Sequence, residues 1–354
     1  MPNFQTIRSS VALLADGPPL VVALVGGTTG IGSYVARTFA ETFAAHGSKL
    51  RVYVVGRNAE RADTVLRFGR KTSPGSDWRF IQATNLALIS QVDAACKDLM
   101  RQEEQDPFHG GPPRLDALYL TAALSPLAPS PTTEEGIDSQ MSLLYYARIR
   151  CAQNLIPLLT ASPRKAHVIS VFAGSVEDKV KPDQLPIGIP DPASYGVTAV
   201  RTHTCFMKTF LFESLAEQHA GKISFIHMYP GLVDGPTFYI QENPLWFRIL
   251  WTLMKPLASL VMTSPEDCGR LMVFLSTPRY PAKGTLKPED GHDSNVARSS
   301  QNEIGGGAYA LDQKGDERSE VSWARVRRQD TATKVWEHTM GVLQAAEQKK
   351  AAGW

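Results

Sequence analysis

Val25-Gly26-Gly27-Thr28-Thr29-Gly30-Ile31-Gly32 is the stretch on which the reading of this chain turns. It follows a continuously apolar run, Leu20 to Val25, of the kind that a strand buried on both faces of a parallel sheet requires. It leads into a segment from Ile31 to Ala45 where Val35, Phe39 and Phe43 recur at helical spacing before Gly47 stops the pattern. Between such a strand and such a helix each glycine has its own task. Gly26 turns the chain, Gly30 lets backbone approach a pyrophosphate, and Gly32 lets the helix pack on the strand. The helix start adds free N–H groups and a partial positive charge, which suit an anion. Gly26, Thr28, Thr29, Gly30, Ile31 and Gly32 are therefore expected to hold a dinucleotide.

Working outward, a second apolar run ends Tyr53-Val54-Val55-Gly56-Arg57-Asn58. An acidic side chain at this tip would accept from a ribose 2′-hydroxyl, whereas an arginine suits a 2′-phosphate through charge-assisted hydrogen bonds. Arg57, with Asn58 beside it, favours NADP(H) over NAD(H). Further apolar runs lie at Trp78 to Ile81, Leu115 to Leu120, His167 to Val171, Ile223 to Met228 and Ala308 to Leu311, with helical patterns between them. That alternation predicts an α/β fold, a Rossmann-type doubly wound parallel sheet with helices on both faces. It spans 20–312, after an N-terminal extension (1–19) and before a charged helical tail (313–354). Residues 102–114 and 283–307 read as loops. The proline-rich stretch 177–192 reads as a loop over the carboxyl edge of the sheet, where ligands of such folds bind.

With 354 residues and 43% hydrophobic content the chain can bury a large core. A net charge of +2 and the lack of a basic run with interleaved aromatics argue against nucleic-acid binding. Cys96, Cys151, Cys205 and Cys268 lie far apart and show no metal-ligand spacing, so no metal is expected and a reducing, cytoplasmic setting is. Asn243 to Met262 is the most apolar segment, but Arg248, Lys255 and Pro256 interrupt it. A helix covering the substrate cleft, within an insertion at 236–264, or a subunit contact is the leading reading. Membrane-surface contact is the lesser one, and a span is disfavoured.

Together these motifs resemble the short-chain dehydrogenase/reductases, in particular the long fungal members of secondary metabolism, from about Leu20 to Leu311. The resemblance adds Asn85-Leu86 after the third strand, where the family has an aspartate against the adenine. It also adds Thr121-Ala122-Ala123 in place of an Asn-Ala-Gly turn, and Pro230-Gly231-Leu232-Val233 as the turn beside the nicotinamide. It implies an NADP(H) site that includes Asn85, Leu86, Thr121, Ala122, Pro230, Gly231 and Val233, and a homodimer is among its implications. In the family a tyrosine donates the proton, a lysine four residues on lowers that tyrosine's pKa, and a serine positions the substrate oxygen.

Here the catalytic half departs from the pattern. Tyr195 is followed four residues on by Ala199, and a register counted back from Glu213 places Gly196 at the tyrosine position instead. Ala173 falls where the serine belongs, with Ser175 the nearest hydroxyl beyond, and Ser142-Leu143-Leu144-Tyr145-Tyr146 lacks the structural asparagine. Tyr195 with Ser175 is the candidate proton-handling pair. Charged groups of the 177–192 loop (Asp178, Lys179, Lys181, Asp183 and Asp191) are candidates to fold over the cleft. The leading expectation is an NADPH-dependent reductase of a bulky, apolar small molecule carrying a C=O, C=N or activated C=C bond. An isomerase or cyclase without net redox chemistry, or a catalytically silent nucleotide-binding protein, stays open beside it.

Overall fold

A computed structural model describes residues 2–125, 130–174, 177, 180–181, 183–238, 243–259, 261–286, 295–317 and 320–351. Seven strands run in the order β3-β2-β1-β4-β5-β6-β7: β1 (Leu20–Val25), β2 (Leu50–Gly56), β3 (Asp77–Gln82), β4 (Ala117–Leu120), β5 (Ala166–Val171), β6 (Ile223–Met228) and β7 (Ala308–Leu311). All six pairings are parallel, as the sequence predicts. Every residue of β1 is buried, and alternate side chains feed two cores. Val21, Ala23 and Val25 join one cluster, and Leu20, Val22 and Leu24 join the other.

The helices cover both faces. α2 (Gly30–Thr42), α3 (Ala59–Thr72) and α9 (Pro265–Phe274) contribute to the cluster around Leu24, whereas α4 (Ile89–Gln105), α6 (Ala147–Thr160) and α7 (Val197–Gln218) contribute to the one around Ala23. The short α5 (Ser139–Met141) runs through a π turn, Ser142–Tyr146, into α6. Several helix starts are written in the sequence. Asn58 Oδ1 accepts from Arg61 N at 2.8 Å to cap α3, and Ser264 caps α9 ahead of Pro265 at its first position.

Three features go beyond the sequence reading. Residues 4–16 form α1 (Phe4–Asp16), which packs Ile7, Val11 and Leu14 into the core against α9 and α2. α4 extends to Gln105, so the loop expected from residue 102 starts later. At the far end α10 (Thr331–Ala351) lies across α7 and α4. It is tied to the π turn by Tyr145 Oη to Thr339 Oγ1 at 2.7 Å and Tyr146 Oη to His338 Nε2 at 2.8 Å. Leu144, Tyr145 and Tyr146 are thus core residues of this chain.

The strand order reverses between β1 and β4. At such a switch point the connections leave β1 and β4 in opposite directions and open a crevice beyond their carboxyl ends.

Candidate active site

The glycine turn lies at that crevice. Gly26 N donates to Val55 O at 2.9 Å, and its φ of +91° is one that side chains rarely tolerate. A Cβ on Gly26 would fall 2.5 Å from Ala122 N, and one on Gly32 would fall 2.4 Å from Gly26 O. These two glycines serve close packing. Gly30 differs: with φ +54° its Cβ would meet only Pro236 Cδ, at 3.9 Å, so the backbone there faces open space. Thr29 precedes α2 as its N-cap and makes no side-chain hydrogen bond to the first-turn N–H groups.

Residues around the turn hold it from two sides. Thr121 Oγ1 donates to Val25 O at 3.1 Å and to Gly26 O at 3.2 Å, pinning the turn to the end of β4. Thr28 packs its methyl against Gly56 at the tip of β2. Arg57 is exposed beyond that tip, and among the described residues its guanidinium makes no hydrogen bond or ion pair. The side chains of Asn58 and Asn85 are engaged locally, Asn58 as the α3 cap and Asn85 Oδ1 accepting from Ala87 N at 3.0 Å. Leu86 packs with Val25, Leu120 and Ala122 below the crevice. On the opposite wall Gly231 has φ +72°, and Val233 bridges Thr263.

Tyr195 lies just before α7 rather than within it, because the helix starts at Val197 after an extended Gly196. Its hydroxyl donates to both carboxylate oxygens of Asp138, at 3.0 Å each. Asp138 also accepts from Ser130 Oγ at 2.8 Å and caps α5 through Met141 N at 2.9 Å. Burial, followed by the Asp138 carboxylate, pushes the Tyr195 phenol up from its ordinary value, while Ser130 pulls it down. Tyr195 and Ser130 border a cleft of about 70 Å³ lined also by Ala123, Leu124, Gln140, Leu144 and Phe172, with the buried Asp138 behind them. A larger cavity of about 160 Å³, around His167 and Arg164, includes Leu20 at the opposite end of β1 and is remote from the glycine turn.

The cation closest to the family's missing lysine in kind is not on the cleft surface. Lys208 is fully buried, its amine has no hydrogen-bond partner among the described residues, and burial and the neighbouring Arg148 hold it well below the ordinary lysine range. Arg148 is itself buried: Nη2 donates to Ala122 O at 2.8 Å, Nη1 to Val171 O at 2.8 Å and to Ser170 Oγ at 2.9 Å, and Nε to Leu143 O at 2.9 Å. It joins the ends of β4 and β5 to the π turn. Asp138 and Arg148 escaped the sequence reading. The motif's tyrosine has no fixed offset to the first, and a buried arginine in a helix has no local signature.

Ala173 adopts φ +48° and its carbonyl accepts from Cys205 Sγ at 2.7 Å. Gly174 has no room for a side chain, since a Cβ would fall 2.3 Å from His227 O. Ser175, Asp178 and Lys179 lie outside the described residues. Lys181, Asp183 and Asp191 are exposed, and Asp191 turns inward on its own loop by accepting from Ala193 N at 2.8 Å.

A parallel seven-stranded sheet with its glycine turn at the switch point defines a Rossmann-type α/β protein. No family model matches the chain. It is 53% identical over 353 residues to the short-chain dehydrogenase/reductase SAT2 of Stachybotrys chartarum, a match covering 99% of each chain. It is 32% identical over 354 residues to the oxidoreductase AN1596 of Emericella nidulans, covering 98% of this chain and 99% of that one. RhlG of Pseudomonas aeruginosa, solved as an NADP active-site complex, shares the fold with a TM-score of 0.52 at 19% identity, over 73% of this chain and 90% of its own. The chain belongs to the short-chain dehydrogenase/reductase family.

Proposed function

We propose that the protein is an NADPH-dependent reductase of a bulky, apolar small molecule of the kind made in fungal secondary metabolism. The observation that carries this is the open backbone at Gly30, beside a helix start with no side-chain cap, with Arg57 exposed beyond the tip of the neighbouring strand β2 and unpaired among the described residues. Gly26, Thr28, Thr29, Gly30, Ile31 and Gly32 would hold the pyrophosphate, and Arg57 with Asn58 the 2′-phosphate. Asn85, Leu86, Thr121, Ala122, Pro230, Gly231 and Val233 would line the remainder. The cofactor supplies hydride when bound.

The residues of the cleft favour particular acceptors. A phenol that gave its proton to a ketone oxygen would become an anion facing the Asp138 carboxylate, which is electrostatically uphill. A protonated imine reverses the sign, because the same carboxylate stabilises its positive charge. A C=N bond, or a conjugated alkene that needs little help from an acid, suits Tyr195–Asp138 better than a simple ketone. Tyr195 then orders the substrate, and Ser175 is retained as its proposed partner. Apolar Leu124, Leu144 and Phe172 give the substrate's reacting end a hydrocarbon wall.

The same pair also supports a second reading, a redox-neutral isomerase or cyclase in which Asp138 accepts a proton through Tyr195. Incubating the protein with NADPH and matched imine, enone and ketone substrates, while following the nicotinamide absorbance, separates the two. Cofactor consumption with the imine or enone supports the reductase. Product without consumption favours the isomerase or cyclase, and neither product nor consumption across the panel overturns both. A homodimer, if formed, would use a face other than the one that α10 covers.

A further inference from the structure

The cavity of about 160 Å³ beside His167 lies at the amino end of the sheet, outside the crevice. The first residue of β1, the turn from α6 into β5 and the segment that follows α9 enclose it. The six residues of β1, about 20 Å of extended chain, separate it from the glycine turn. Its body is apolar, with Leu20, Pro278, Pro281 and Ala282 in the wall. An apolar cavity of about 150 Å³ is large enough to take up benzene, so a single six-membered ring fills a space of this size.

The polar groups of the wall leave an excess of positive charge. Asp116 is its one carboxylate among the described residues, and it is already satisfied. Oδ2 accepts from Val21 N at 2.7 Å, Oδ1 accepts from Ser162 Oγ at 2.6 Å, and Arg114 Nε lies 3.5 Å from Oδ2. Arg164 and Lys165 form no ion pair among the described residues. Arg164 Nη1 donates to Pro18 O at 2.7 Å, a neutral acceptor that leaves the guanidinium charge without a counter-ion. Lys165 is exposed and holds φ +64°, a left-handed conformation that side chains rarely adopt and that gathers at ligand sites.

Donors are confined to the same side. Ser276 and Thr285 give their hydroxyl protons to Val273 O at 2.8 Å and Ala282 O at 2.7 Å. The donors left to a guest are those of Arg164, Lys165 and the buried His167, whose Nε2 has no hydrogen-bond partner among the described residues. Burial holds His167 down to about 4, so it adds no charge near neutral pH and the two cations set the preference.

We propose that this cavity is a second ligand site, for a small monocarboxylate with a compact apolar body such as an aromatic acid. The ring lies among Leu20, Pro278, Pro281 and Ala282, and the carboxylate meets Arg164 and Lys165 through charge-assisted hydrogen bonds. Inorganic phosphate has no body for the apolar wall, and a neutral ring leaves both cations without a counter-charge. The site does not depend on the cofactor or the reaction proposed above.

The test is calorimetric titration of the full chain with benzoate, with benzamide as the neutral analogue of the same shape. Benzoate is expected to bind saturably, one per chain, and about tenfold tighter than benzamide, the value of one charge-assisted hydrogen bond. R164Q is expected to lose about tenfold in benzoate affinity on the same ground. K165Q, a change at an exposed side chain that leaves the fold intact, is expected to weaken benzoate more than benzamide. A282L fills the cavity with both cations in place and is expected to abolish binding of either compound. NADPH is expected to leave the benzoate affinity unchanged. No saturable binding, equal affinities for benzoate and benzamide, benzoate binding unaltered in both R164Q and K165Q, or displacement of benzoate by NADPH would each overturn the proposal.

Discussion

The Tyr195 hydroxyl donates to both oxygens of the Asp138 carboxylate, so the phenol at the cleft faces an anion where the family pattern provides a cation. Burial and that carboxylate both favour the protonated phenol, and Asp138 keeps its place by capping α5 and accepting from Ser130.

Asp138→Asn retains the cap and the shape while removing the charge. The Tyr195 phenol is expected to titrate at lower pH in this variant than in wild type, read by NMR of ring-labelled tyrosine with Tyr195→Phe to assign the signal. Turnover of an imine is expected to weaken through a higher KM, as its cation loses a counter-charge, whereas ketone turnover does not fall. An unmoved Tyr195 titration would show that the contact has no electrostatic consequence.

Arg57→Ala is expected to weaken NADPH binding by about 10- to 100-fold, the value of a charge-assisted hydrogen bond to phosphate, and to leave NADH binding nearly unchanged. Calorimetric titration with both dinucleotides measures the difference. Equal losses for the two would remove Arg57 from the 2′-phosphate role.

Lys208→Met is expected to stabilise the fold by about 1–3 kcal/mol, because it replaces a buried amine that lacks a partner among the described residues with an apolar chain of similar length. The sign with pH follows from linkage. Burial and Arg148 depress the folded-state pKa, so the unfolded chain binds the extra proton, and wild type gains stability as pH rises from neutral toward about 10.4. The gap in Tm between variant and wild type should therefore narrow over that range. A constant gap would show that Lys208 stays charged in the native protein.

His167 and His227 act at the other end of the scale. Burial pushes His167 down to about 4, and burial with Lys208 pushes His227 down to about 3. Both are neutral in the folded state above those values, while unfolded histidine takes up a proton near ~6.5. Stability should therefore fall as pH drops from about 6.5 toward 4, by about 1.4 kcal/mol per pH unit for each residue within its window. Thermal melts across that range test this, and His227→Gln is expected to flatten the slope.

The strands and the glycine turn were legible because their signals are local. A run such as Leu20 to Val25 is apolar at every position because both of its faces are covered, and Gly26, Gly30 and Gly32 mark a strand-to-helix turn by spacing alone. α1 was not legible as core, since Ile7, Val11 and Leu14 show their use only once α9 is folded against them. The helix α8 (Leu245–Ala258) was legible only in part. Its apolar residues were legible, but not how they divide: the helix turns Trp251 and Phe247 inward and leaves Leu245, Trp246, Ile249, Leu250, Leu253 and Leu257 outside.

By itself, then, the sequence determined the parallel sheet, the position of the glycine turn and the arginine at the tip of β2, since periodicity and backbone sterics act over a few neighbouring residues. Only the tertiary structure decided what faces Tyr195, because Asp138 lies 57 positions away and the two meet through the packing of α5 against the start of α7. It also decided that α10 covers the π turn and that Lys208 is sealed beneath the site. Burial and long-range pairing depend on which elements touch, and no local pattern of residues encodes that.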